Sequence, residues 1–242
     1  MITDVRSERL IVISDLHLGN PFSHARERVI GFLRWAALNK FDIVINGDVF
    51  EIAQVSFGKI AKDVPEVLRA LKLAIRSGCN IYYVIGNHDI VLENLLEDWG
   101  AFKMAPFLNV RSGSARIRIE HGHLYDPFFI KYPKLYEFCT WIAGFVLHLS
   151  PKYYKLWIAF ERLKSRLRRR RERGIVGEHP HFYDAAHELL RRGFDSVVFG
   201  HTHHVGEVAI GQKGKYFNPG TWMFGTHYVE IISGIVKLKK WE

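Results

Sequence analysis

Five short polar runs each close an apolar segment of this chain. They are Asp15 and His17 in "SDLHLG", Asp48 in "NGDVFE", Asn87, His88 and Asp89 in "IGNHD", His121 and His123 in "EHGH", and His201 and His203 in "FGHTHH". Together they offer carboxylate and amide oxygens with imidazole nitrogens and no thiolate. That donor set suits borderline divalent cations such as Mn²⁺, Zn²⁺ or Fe²⁺ and leaves room for water. A carboxylate such as Asp48 can bridge two ions; a pair of ions about 3.5–4 Å apart clamps a phosphoryl oxygen and activates water near neutral pH. In extended backbone, residues i and i+2 point the same way, so His201 and His203 would aim both imidazoles at one place. Taken singly, D-x-H and G-D are common turn sequences. Their joint occurrence, each after an apolar run, points to one metal centre.

The elements that must carry these residues alternate. "RLIVIS", "FDIVIN" and "NIYYVI" are apolar runs of strand length, and "ARIRIE" alternates as a half-exposed strand does. Between the first three lie helical patterns. Over 24–39, Val29, Phe32, Leu33 and Ala36 share a face; over 63–77, Val67, Leu68, Leu71 and Ile75 do. Strands alternating with helices predict an α/β core, in which ligands bind at the carboxyl ends of strands. The run 205–240, punctuated by Gly211, Gly214, "NPG" and Gly234, predicts several short strands and a mixed sheet.

Residues 127–173 break this rhythm. "KLYEFCTWIAGFVLHL" is apolar and aromatic, Ser150-Pro151 marks a helix start, and Leu156, Phe160, Leu163 and Leu167 follow at helical spacing. This predicts an inserted helical hairpin, 127–173, in a core made of 1–126 and 174–242. The apolar run is too short to span a membrane, which takes about 20 apolar residues.

The chain has 242 residues, 48% of them hydrophobic, which fits one large domain with an insertion. Its formal charge is +9, and 161–173, "ERLKSRLRRRRER", alone holds eight Lys/Arg against two Glu. One basic patch on a nearly balanced body predicts an anionic partner: acidic lipid, phosphorylated substrate or nucleic acid. Cys79 and Cys139 are far apart without C-x-x-C spacing and read as buried thiols of a reducing, cytoplasmic compartment. The N-terminal "MITDVRSERLIVISDLHL" reads as a first strand and not as a signal peptide.

The order D-x-H, G-D, G-N-H-D, H, G-H-x-H across residues 15–203 resembles the calcineurin-like metallophosphoesterases. The resemblance implies a four-layer αββα sandwich of two mixed β-sheets flanked by helices. It implies one ion on Asp15, His17, Asp48 and His203, and a second on Asp48, Asn87, His121 and His201. Mn²⁺ is the first expectation, with Zn²⁺, Fe²⁺ or Mg²⁺ as the others. His88 would face the scissile phosphate, with Asp89 orienting its ring. The implied chemistry is in-line attack on phosphorus by water activated between the ions.

Within that family, "SDLHLG", "NGDVFE" and a helical insertion before "GHTH" resemble the UDP-2,3-diacylglucosamine pyrophosphohydrolases of lipid A synthesis. This implies a UDP-lipid substrate, cleaved to UMP and a lipid 1-phosphate, and a protein touching the cytoplasmic face of the inner membrane. Trp141, Phe145 and Trp157 would hold acyl chains; Arg166 and Arg169 would meet phosphate or anionic headgroups; His123 and Tyr125 are further candidate substrate contacts. G-N-H-D stands where that branch commonly has G-N-R-D, and "HGHLYDPF" where it has H-G-D. Two other readings share the fold: a nuclease or nucleotide phosphodiesterase whose arginines track a nucleic-acid backbone, and a non-catalytic scaffold.

Overall fold

The computed structural model describes residues 4–19, 25–51, 57–88, 103–149 and 174–242, together with positions 152, 156 and 159. Among the described residues, twelve strands form two mixed six-stranded sheets. In chain order they are β1 (Asp4–Arg6), β2 (Arg9–Ile13), β3 (Asp42–Asn46), β4 (Ile81–Val84), β5 (Lys103–Ala105), β6 (Phe107–Ser112), β7 (Ala115–Glu120), β8 (Ser196–Val198), β9 (Gly206–Ile210), β10 (Gly214–Asn218), β11 (His227–Ile232) and β12 (Ile235–Lys240). The helices are α1 (Ala25–Leu38), α2 (Phe57–Arg76), α3 (Pro127–Lys131), α4 (Pro133–Leu149) and α5 (Pro180–Arg191).

One sheet has the order β12-β11-β2-β3-β4-β5, and β2 to β5 run parallel. The other has the order β1-β6-β7-β8-β10-β9, with β7 and β8 parallel. Strand alternation divides the interior. Leu10, Val12, Val44, Tyr82 and Val84 face the second sheet, meeting Leu108, Val110, Ile117, Ile119, Val198 and Phe217. Ile11, Ile13, Ile43, Ile45, Ile81 and Tyr83 face the other way, toward α1 and α2. Strands buried on both faces need continuous apolar sequence, which "LIVI", "DIVI" and "IYYV" supply. α5 covers the outer face of the second sheet with Phe182, Ala186 and Leu189. The result is helix, sheet, sheet, helix.

Val29, Phe32, Leu33 and Ala36 of α1 are fully buried, as their spacing predicts. On α2 the buried stripe is Val67, Ala70, Leu71 and Ala74, while Leu68 is 39% exposed. Residues i and i+1 of a helix lie about 100° apart, so Leu68 falls outside the narrow stripe that two small alanines complete. β1, β5 and β6 escape the sequence reading because two are only three residues long and β6 alternates weakly. Both cysteines are free; Cys79 is buried, whereas Cys139 is only half-buried, on a helix with one face uncovered. The hairpin arm expected after Ser150-Pro151 lies outside the described residues, apart from the three helical positions 152, 156 and 159. Among the described residues no helix is long and apolar enough to cross a membrane.

Candidate metal centre

Every polar run lies just past a strand end. Asp15 and His17 follow β2, Asp48 follows β3 and Asn87 follows β4 in one sheet; His121 follows β7 and His201 follows β8 in the other. The carboxyl ends of three parallel strands therefore meet those of two strands in the facing sheet. The backbone amide of Gly200 donates to the carbonyl of His121 at 2.9 Å, which brings the last two runs in side by side.

The backbone there is not extended. Asp15, His17, Asp48, His201 and His203 all have left-handed φ, between 44° and 65°. This corrects the expectation that His201 and His203 converge by strand alternation: β8 ends at Val198, and the two rings are delivered by a kinked loop. Left-handed φ at non-glycine residues costs of order 1–3 kcal/mol each and persists only where surrounding structure enforces it. Close approach also explains two glycines. A Cβ on Gly200 would overlap the Ser14 hydroxyl and the Asp15 carboxylate; one on Gly86 would overlap the Asp48 carboxylate.

The side chains gather into two adjoining clusters. In the first, His203 Nε2 lies 3.2 Å from Asp15 Oδ1 and 3.0 Å from His17 Nε2. In the second, His121 Nε2 lies 3.3 Å from Asp48 Oδ2 and 3.2 Å from Asn87 Oδ1, and His201 Nδ1 lies 2.8 Å from the same amide oxygen. Asp48 Oδ2 is also 4.0 Å from His17 Nε2, so it stands between the clusters. The groups Asp15–His17–His203, Asp48–His121–His201 and His17–Asp48–His88 each have ligand atoms close enough to hold one ion.

Three imidazoles have their outward nitrogen engaged. His17 Nδ1–H donates to Glu51 at 2.7 Å, His121 Nδ1–H to the Asn46 carbonyl at 2.8 Å, and His201 Nε2–H to Asp126 at 3.0 Å. Each such bond selects the tautomer whose lone pair faces inward. Among the described residues, buried Asp15 Oδ1 has the His203 ring nitrogen 3.2 Å away but forms no hydrogen bond. Inward lone pairs beside an unsatisfied carboxylate oxygen fit divalent cations. Electrostatics say the same: burial opposes charge on His121, yet Asp48 and Asp15 push its pKa up to about 9. Burial likewise opposes ionising Asp48, but His121 and His88 hold it well below the usual carboxylate range. The acids need a positive charge among them, and a metal ion would replace the proton.

His88 stands at the junction, its Nε2 4.0 Å from Asp48 Oδ2 and its amide donating to Asp48 Oδ1 at 2.9 Å. Its Nδ1 lies 2.6 Å from Glu51 Oε1. Glu51 thus accepts from His17 with one oxygen and His88 with the other. Sequence reading missed it, although an acid after the apolar Val49-Phe50 carried the signal. Asp126 and Tyr136, the latter accepting from Asn87 Nδ2 at 3.0 Å, were missed as well.

The remaining candidates separate. The His123 ring packs near His121 and Phe129, and its Nδ1 has no hydrogen-bond partner among the described residues. Burial, with His121 and His201 nearby, pushes its pKa down to about 3, so the ring is neutral. Tyr125 is turned away: its hydroxyl donates to Glu120 and its ring packs on Phe199. Trp141 and Phe145 are exposed on α4, stacked on each other at 6.0 Å. Asp89, Trp157, Arg166 and Arg169 lie outside the described residues.

Behind the kinked loop sits a buried network. Glu178 accepts from Thr202 Oγ1 at 2.6 Å, Tyr216 OH at 2.8 Å and Asn218 Nδ2 at 2.7 Å. Asn218 also donates to the Gly200 carbonyl at 3.0 Å. Thr202 lies between His201 and His203, so this network restrains the strained turn.

Fold and side chains together fit the class of phosphoesterases that use divalent cations. The chain belongs to the calcineurin-like phosphoesterase family, whose sequence profile matches residues 8–205. It is 24% identical over 213 residues to the UDP-2,3-diacylglucosamine hydrolase of Bordetella pertussis, covering 85% of this chain and 81% of that protein. Among solved structures it is similar to a dimetal phosphatase from Danio rerio, with a TM-score of 0.50, 12% identity and coverage of 96% and 95% of the two chains. It is also similar to Vps29 from Cryptosporidium parvum, with a TM-score of 0.48, 16% identity and coverage of 97% and 98%.

Two predictions follow from this geometry. Glu51→Gln leaves one acceptor oxygen for two imidazoles and drives one ring to the wrong tautomer; Mn²⁺ affinity of one site, measured by calorimetry, should fall about 10- to 100-fold. Burial raises the Glu178 pKa from the ordinary 4.5 to about 7 against its three donors. The folded protein then binds more protons than the unfolded chain between those values. Stability present below pH 4.5 is lost as pH rises through 7. In urea titrations at several pH values, wild type should lose on the order of 3 kcal/mol relative to Glu178→Gln across that window.

Proposed function

We propose that this phosphoesterase is a two-metal hydrolase of an amphiphilic diphosphate, UDP-2,3-diacylglucosamine, which it cleaves to UMP and the lipid 1-phosphate. The observation that carries the substrate is the relative from Bordetella pertussis, 24% identical across 85% of the chain. The exposed face of α4 supports it. Leu135, Phe138, Trp141 and Phe145 recur at helical spacing, all exposed, with the three aromatic rings stacked in series. Such a stripe suits acyl chains, whose burial contributes about 0.8 kcal/mol per methylene. In this reading 127–173 is a lid on a core of 1–126 and 174–242. The arginines of 164–171 meet phosphate or the anionic headgroups of a membrane surface, at its cytoplasmic face.

The ligand sets proposed are Asp15, His17, Asp48 and His203 for one ion, and Asp48, Asn87, His121 and His201 for the other. Mn²⁺ matches their mixed oxygen and nitrogen donors. Bound divalent ions supply Lewis acidity at the phosphoryl oxygens and lower the pKa of water. Asp48 holds both halves in register. His88, with Nδ1–H on Glu51, presents Nε2–H to the phosphoryl group, where it stabilises developing negative charge and protonates the leaving oxygen. Asp89, next in the sequence, is proposed to help orient that ring. His123, neutral beside the second ion, contributes shape and not charge.

His88→Ala should lower kcat/KM by about 10²- to 10⁴-fold while the protein still binds two Mn²⁺ per chain by elemental analysis. Loss of an ion would make His88 a ligand instead. With UDP-2,3-diacylglucosamine as substrate, UMP release should be Mn²⁺-dependent, and Trp141→Ala with Phe145→Ala should lower kcat/KM by roughly tenfold or more. The same double variant should cleave a chromogenic phosphodiester nearly as wild type does. Equal losses on both substrates, or faster cleavage of single-stranded nucleic acid than of the lipid, would sink the assignment.

A further inference from the structure

The two halves of the centre are supported differently. Among the described residues, the side chains of Asp15, His17 and His203 are held by one another, by Ser14, by Glu51 and by the backbone amide of His201, and none of their hydrogen bonds comes from α3 or α4. Two ligands of the other half are gripped by the helical insertion. Asp126 caps α3: one carboxylate oxygen accepts from the Phe128 amide at 2.8 Å, while the other accepts from His201 Nε2–H at 3.0 Å. Tyr136, in the first turn of α4, accepts from Asn87 Nδ2 at 3.0 Å. The Tyr136 ring packs on Phe129 at 5.1 Å and Phe128 at 5.8 Å, which locks the elbow between α3 and α4. Asn87 Oδ1 in turn faces both His121 and His201.

We infer that Asp126 and Tyr136 are positioning residues that couple the docking of α3–α4 to occupancy of the Asn87–His121–His201 ion, and of that ion alone. The inference rests on the metal centre proposed above. Asp126 fixes the His201 tautomer with its lone pair on Nδ1, facing Asn87. Tyr136 holds the amide group of Asn87 so that its oxygen, and not its nitrogen, faces the imidazoles. Undocking the helices removes both restraints. By reciprocity, an ion bound there must favour the docked helices by the same factor.

The probe is Mn²⁺ alone, added to the full chain. Asp126→Asn retains a good helix cap, but its one carbonyl oxygen can serve only one of the two donors. Tyr136→Phe removes a single oxygen atom and serves as the reading should the first variant fold poorly. In calorimetric titrations each variant should keep one Mn²⁺ at wild-type affinity and bind the other about 10- to 100-fold more weakly. In wild type, saturating Mn²⁺ should slow amide hydrogen exchange across 127–149, and the double variant should lose that slowing. A purely structural role for Asp126 and Tyr136 would speed exchange with or without Mn²⁺ and leave both affinities unchanged, which overturns the inference. So does exchange in wild type that ignores Mn²⁺. Wild type binding no Mn²⁺ overturns the metal centre itself; wild type binding two ions with variants indistinguishable from it overturns the coupling only.

Discussion

Two carboxylates, Asp15 and Asp48, are withdrawn from water almost completely at the seam between two sheets. Isolated buried carboxylates are costly, and two so near each other more so. The imidazoles around them can turn lone pairs inward to a cation or, as His121 does, hold a proton themselves. Only positive charge held among these groups resolves the arrangement, whether protons on His121 or divalent ions. The rest of the local structure can be understood as the means of keeping this demand in place. Left-handed backbone at five of the residues concerned, glycines that let main chain approach the carboxylates, and partners on the outward imidazole nitrogens all serve it.

The architecture explains how such a demand can be met by a chain of this length. A single parallel sheet would bring together the runs after β2, β3 and β4, which supply acids, an amide and His17. The histidines of the second half come from β7 and β8, and only face-to-face packing of two sheets across the Val44–Val198 core delivers them. Rigidity comes from that core, and precision from small polar networks. Glu51 serves the junction with both oxygens, and Glu178 restrains the turn that carries His201 and His203. Buried carboxylates with every oxygen occupied are suited to this, because a half-satisfied network would relax.

Outside the centre, residues 127–173 have a different composition logic. α4 hides little and shows aromatic side chains in a row, whereas helices on a globular core bury such residues. The excess positive charge of the chain follows soon after in the sequence, at 161–173. An apolar stripe and a cationic run close together in sequence suit a ligand that is itself apolar at one end and anionic at the other. The start of this stretch touches the centre directly, through Asp126 on His201 and Tyr136 on Asn87.

Much of this was legible in the sequence. Apolar runs ending in ligand-type residues announce themselves, because a buried parallel strand needs uninterrupted apolar sequence and its end is where polar chemistry resumes. That determined the α/β core and the five polar runs. Tertiary structure alone decided how the runs meet. His201 and His203 converge through a kinked loop and not by strand alternation, since φ is set by what surrounds the turn. Leu68 is exposed because small alanines, invisible to hydrophobic patterning, complete the buried face of α2. Glu51, Asp126 and Tyr136 belong to the centre, and Tyr125 turns away from it, through contacts between residues remote in the chain. Spacing encodes which residue types can converge locally; which nitrogen, which oxygen and which partner is fixed only when distant segments are packed against each other.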